Sequence, residues 1–108
     1  MRVGAVTTDL MLYSRIESAA TAAGATIIRV DSPADLPDDL ELLLVDWTAR
    51  EPGWTDHLRA RSTSRVLLFG RHTDLGSHAE ARAVGLGPMW ARSKLIAELP
   101  SLMGRDAI

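Results

Sequence analysis

Apolar residues fall in short unbroken blocks along this chain, and helical spacing fills the intervals between them. The clearest block is Leu42-Leu43-Leu44-Val45, which ends abruptly on Asp46. An apolar run of that length suits a strand buried on both faces of a parallel sheet. Arg2 to Val6, Thr26 to Val30, Arg65 to Gly70 and Pro88 to Arg92 read as four more strands. Between the first two, Leu12, Ile16, Ala19 and Ala23 recur at helical spacing, with Thr7-Thr8-Asp9 as capping residues and Gly24 as the stop. Pro33 and Pro37 bracket only three residues, so one helical turn or a loop is expected there, with Ser32 as its cap.

Past Asp46, Trp47 to Gly53 carries the Pro52-Gly53 turn signal. A short helix is expected over Trp54 to Arg61, with Thr55 near its cap. Ser77 or Asp74 can cap a helix reaching about Val84, stopped by Gly85 and Gly87. Ser93 is expected to cap a last helix whose Leu95, Ile96, Leu99 and Leu102 form an apolar stripe, with Pro100 kinking or interrupting it. Strand–helix alternation implies a parallel sheet with right-handed crossovers. The expected fold is a three-layer α/β, flavodoxin-like sandwich of strand order 2-1-3-4-5, its second helix short or missing. Residues 1–103 form one domain, and 104–108 a C-terminal tail.

The composition narrows the function classes. A net charge of −2 without a basic stripe argues against nucleic acid as the partner. No apolar run approaches the roughly 20 residues of a membrane span, and the apolar start is too short for a secretory signal. The absence of cysteine excludes disulfides, thiolate catalysis and cysteine-ligated zinc, and makes a reducing cytoplasm the default. Lys94 is the only lysine and alanine is abundant, the mark of a GC-rich bacterial genome.

Taken with this layout, the chain resembles the receiver domain of bacterial response regulators over nearly its whole length. Receivers hold Mg²⁺ with an acidic pair after the first strand; Thr7 and Thr8 stand there, with Asp9 just beyond. Their phosphoacceptor Asp at the end of the third strand falls on Asp46. Their Ser or Thr at the end of the fourth strand is replaced by Gly70. Their Lys-Pro after the fifth strand meets Arg92-Ser93, or Lys94 in a register shifted by two. The aromatic switch position falls on Met89, beside Trp90.

Phosphoryl transfer to a carboxylate gathers negative charge that a divalent cation and a lysine offset. Asp46 keeps the acceptor while most of those supporting groups are gone. The resemblance therefore implies a degenerate pseudo-receiver: a stand-alone signalling or interaction module, non-enzymatic, with a protein partner. Homodimerisation through the fifth-strand edge is an open alternative. No cofactor is expected. A second reading makes Asp46 a phosphoacceptor, with Asp9 and Asp46 holding Mg²⁺. In a third, Asp9, Asp46, His72 and His78 serve a small-molecule binder or hydrolase.

Several side chains carry two readings. Asp46 can cap its loop or pair with Arg92 or Arg50. Thr7, Thr8, Asp9, Gly70 and Arg92 can frame an anion pocket, or Thr7, Thr8 and Asp9 can simply cap the first helix. His72, Asp74 and His78 match no familiar zinc spacing, and Ser77 lacks the Gly-x-Ser-x-Gly context of a nucleophile elbow. His57 reads as a solvated helix residue. Trp47 and Trp54 are either contact residues or a local lid, and Met89 and Trp90 lie at the edge strand. Gly85-Leu86-Gly87 ends a helix, which is the wrong context for dinucleotide binding.

Overall fold

The computed structural model describes residues 1–61 and 63–104. The expected tail therefore lies outside the described residues, except for Gly104. Five parallel strands form one sheet: β1 (Arg2–Val6), β2 (Thr26–Val30), β3 (Leu42–Asp46), β4 (Arg65–Gly70) and β5 (Trp90–Ala91). Their order is β2-β1-β3-β4-β5, as the alternation predicts. The helices are α1 (Leu10–Ala22), α2 (Trp54–Arg59), α3 (Leu75–Ala83) and α4 (Arg92–Met103).

Period-two alternation along the strands divides the core into two layers. On one face Val3, Leu42, Leu44, Leu67 and Phe69 meet Leu12, Ile16 and Ala20 of α1 and Leu95, Leu99 and Met103 of α4. On the other, Val6, Leu43, Val45 and Leu68 meet Trp54 and Leu58 of α2, Ala81 of α3, and Leu36 and Leu40 of the β2–β3 connection. All five residues of β3 are buried, because β1 and β4 flank it and helices cover both faces.

The β2–β3 connection holds only a 3-10 turn, Pro33–Asp35, capped by Ser32. The sheet beneath it explains how so little chain covers that layer. A Cβ on Gly4 would lie 2.6 Å from Leu40 Cδ1 and 2.8 Å from Leu36 Cδ2. A bare backbone at Gly4 lets these two leucines lie directly on the sheet, where a helix would otherwise be needed.

Several boundaries differ from the sequence reading. The fifth strand is two residues long, not five, pairing Phe69 with Trp90 and Gly70 with Ala91. Arg92 is not strand but the first residue of α4, whose N-cap is Ala91; Ser93 is not the cap. Gly53, at φ 95°, caps α2 in place of Thr55, and the helix stops at Arg59. Pro100 does not interrupt α4, which continues to Met103. Asp74 caps α3, its carboxylate accepting from the Ser77 N–H at 3.1 Å. No helix among the described residues is long and apolar enough to cross a membrane.

Candidate functional site

Three segments converge at the rim where β1, β3 and β5 end. Parallel sheets collect chemistry here because the strands deliver side chains to one rim. From β1 comes Thr7, buried, whose hydroxyl accepts the Asp9 N–H at 3.1 Å. Thr8 is exposed. Asp9 caps α1 through Oδ1, which accepts the Leu12 N–H at 3.1 Å. From β3 comes Asp46, 4% exposed. Its Oδ1 accepts the Thr48 hydroxyl at 2.6 Å and the Thr48 N–H at 3.3 Å, so it also caps the short turn Trp47–Ala49.

Arg92 closes the site from α4. One guanidinium nitrogen lies 3.2 Å from Asp9 Oδ2 and the other 3.6 Å from Asp46 Oδ2. A single organic cation thus bridges the two carboxylates. Its Nε is buried without a hydrogen-bond partner. All four carboxylate oxygens already have partners within the chain. Mg²⁺ requires oxygen ligands in near-octahedral array. This arrangement does not fit that ion, since the guanidinium occupies the space between the carboxylates.

Thr48 escaped the sequence reading, although a hydroxyl two residues after an aspartate is a recognisable local hydrogen-bonding pattern. It also accounts for Gly70. A Cβ there would lie 2.5 Å from Thr48 Cγ2 and 3.0 Å from Met89 Cε. A side chain at position 70 would have to displace Thr48, whose hydroxyl already donates to Asp46. Gly70→Ser is expected to cost about 1–3 kcal/mol through overpacking. Adding Thr48→Ala should recover part of that loss in a thermal double-mutant cycle. Strictly additive losses would show that the two positions do not compete for space.

The remaining candidates fall elsewhere. Arg50 does not reach Asp46; it joins the Trp47 carbonyl, the Ser77 hydroxyl at 2.7 Å and Glu80 at 2.6 Å, tying this loop to α3. Ser77 donates to Asp74 at 2.7 Å, while His78 Nε2 lies 3.2 Å from the Arg71 carbonyl oxygen. The serine thus engages Asp74 and Arg50, with no histidine bonded to it, and no triad forms. The Ser77 hydroxyl and N–H, donating to Asp74, hold its carboxyl below the usual carboxylate range. No group of three metal-ligating side chains occurs among the described residues, so His72, Asp74 and His78 make no metal site.

Trp47 (1% exposed), Trp54 and Met89 are core residues, not surface contacts. All three belong to the apolar layer on the α2/α3 side of the sheet. Trp90 is half-buried against the α1/α4 layer, with the Lys94 ammonium 4.6 Å from its ring centroid.

Comparison with solved structures shares these features of layout. The signal receiver domain of the response regulator NarL from Mycobacterium tuberculosis matches over 94% of this chain and 90% of its own, with a TM-score of 0.67 at 20% identity. A response regulator receiver domain protein from Clostridium thermocellum matches over 98% and 96%, with a TM-score of 0.63 at 13% identity. This is the receiver-domain fold. The receiver domain of a Francisella response regulator aligns over 94% of this chain at 13% identity and a TM-score of 0.64. No protein-family model and no curated protein matches the sequence. On the receiver frame, Asp46 lies at the end of the central strand, while Arg92 lies at the start of the last helix and reaches back across the rim.

Proposed function

We propose that this chain is a receiver-like signalling module that works through protein contacts and does not take up a phosphoryl group by the Mg²⁺-dependent route. One observation carries this reading: Arg92 bridges Asp9 and Asp46 where a phosphorylatable site needs room for a cation. Supplying positive charge from the chain itself removes the need for a metal to offset two neighbouring carboxylates. Thr48 engages Asp46 Oδ1 with both its hydroxyl and its N–H, which makes that oxygen a poorer nucleophile.

The surface around the site supports a partner-binding role. Leu10 and Met11, adjacent at the start of α1 beside the rim around Asp46, are 62% and 85% exposed. Neighbouring large apolar side chains held in water suit a protein contact. The same module would be non-enzymatic, because the polar groups at the rim are spent on one another.

Incubation with acetyl phosphate and Mg²⁺, followed by intact mass measurement, tests the reading. No added phosphoryl mass is expected. Labelling that disappears in Asp46→Asn would replace this proposal with the phosphoacceptor reading.

A further inference from the structure

A cleft of about 600 Å³ opens between the starts of α1 and α4, lined by Asp9, Met11, Leu12, Arg15, Arg92, Ser93 and Ile96. Its volume lies within the range of small-molecule sites, as does its composition of an apolar wall with a few polar groups. The two walls differ in chemistry. Met11, Leu12 and Ile96 supply hydrocarbon, and Met11 is 85% exposed. Arg15 supplies charge: it is exposed and makes no ion pair or hydrogen bond among the described residues. Arg92, by contrast, is already held by Asp9 and Asp46.

The lining charges set the valence of an occupant. The charge of Arg92 is already matched by Asp9 and Asp46, so among the described residues Arg15 is the cation of this lining left without a counter-ion. A phosphate dianion would leave one charge unmatched against Arg15, whereas a carboxylate matches Arg15 one to one. The apolar wall then favours a ligand with a hydrocarbon part over a bare ion.

We propose that this cleft binds a small organic monoanion, a carboxylate borne on an apolar chain. Arg15 pairs with the carboxylate, and Met11, Leu12 and Ile96 receive the chain. The site lies beside the Asp46 rim but does not depend on the phosphorylation chemistry of Asp46. Labelling by acetyl phosphate and occupancy of this cleft are separate outcomes.

The test is a titration of the ¹⁵N-labelled protein with octanoate, read by amide shifts. Saturable shifts confined to the first two turns of α1 and α4 are expected. Arg15→Gln should weaken binding about tenfold, as expected for losing a charged hydrogen-bond partner. Met11→Asp should weaken it by a similar factor. Both positions are exposed, so folding is not at stake, and a matching spectrum of the free variants checks this. Octanol binding as tightly as octanoate would overturn the proposal by removing the role of charge. Inorganic phosphate binding as tightly would overturn it by removing the role of the chain. The absence of saturable shifts, or an Arg15→Gln affinity equal to wild type, would overturn it as well.

Discussion

Trp47→Ala is expected to cost about 3–5 kcal/mol, the range for truncating a large buried aromatic. A small domain holds only about 5–15 kcal/mol in total, so this single change takes up a large share of it. Three observations place Trp47 at that end of the scale. It is 1% exposed, follows the central strand directly, and packs in the layer of Val45, Trp54, Leu58 and Leu68. The Arg50 guanidinium lies 5.3 Å from its ring centroid, so the cavity would also loosen the link to α3. Its indole nitrogen is buried without a hydrogen-bond partner. Trp47→Phe therefore sacrifices no hydrogen bond and should cost clearly less than alanine. Urea denaturation followed by far-ultraviolet circular dichroism measures both. A loss below about 1 kcal/mol for alanine would contradict the burial argument.

Arg92→Ala should both destabilise the domain and make it respond to Mg²⁺. Truncation leaves the buried Asp46 carboxylate with only Thr48 as donor, facing Asp9 without a counter-ion. Removing one member of a partly buried pair costs about 1–3 kcal/mol. The lower half of that range applies, because the Arg92 side chain is 35% exposed and solvent screens the pair. In a domain of this size the corresponding fall in melting temperature is roughly 5–10 °C. The vacated space between two carboxylates then suits a hard divalent cation. Millimolar Mg²⁺ should raise the variant's melting temperature while leaving wild type unmoved. An equal rise in both proteins would mean that Arg92 does not exclude the ion.

Both predictions depend on how side chains close over the strand ends, and that is where the sequence was least legible. The strand cores were readable because two-sided burial demands uninterrupted apolar blocks such as Leu42 to Val45. The missing second helix was readable because Pro33 and Pro37 leave no room for one. The edge strand was not. Pro88 to Arg92 has strand-like composition, but β5 pairs with β4 only at Trp90 and Ala91. Ser93 and Thr55 were plausible caps by residue type, yet Ala91 and Gly53 occupy those positions, because local geometry decides where a helix begins. Trp47 and Trp54 read equally well as contact residues or as a lid, since an indole carries no periodic signature outside an element.

The sequence by itself determined the strand order, the parallel sheet and the position of Asp46 at the end of the central strand. The resemblance to receivers, not the pattern itself, set Thr7, Thr8 and Gly70 against the supporting groups of that family. Local pattern suffices for the strands, whose apolar blocks depend on neighbours close in the chain; their order followed from strand–helix alternation and the flavodoxin-like size. The tertiary structure alone decided what surrounds Asp46. Arg92 is 46 residues from Asp46 and 83 from Asp9 in the chain, yet one guanidinium meets both carboxylates. Thr48 fills the volume that Gly70 leaves. Charge pairing and volume exclusion between distant segments carry no periodicity, so only the folded chain reveals them.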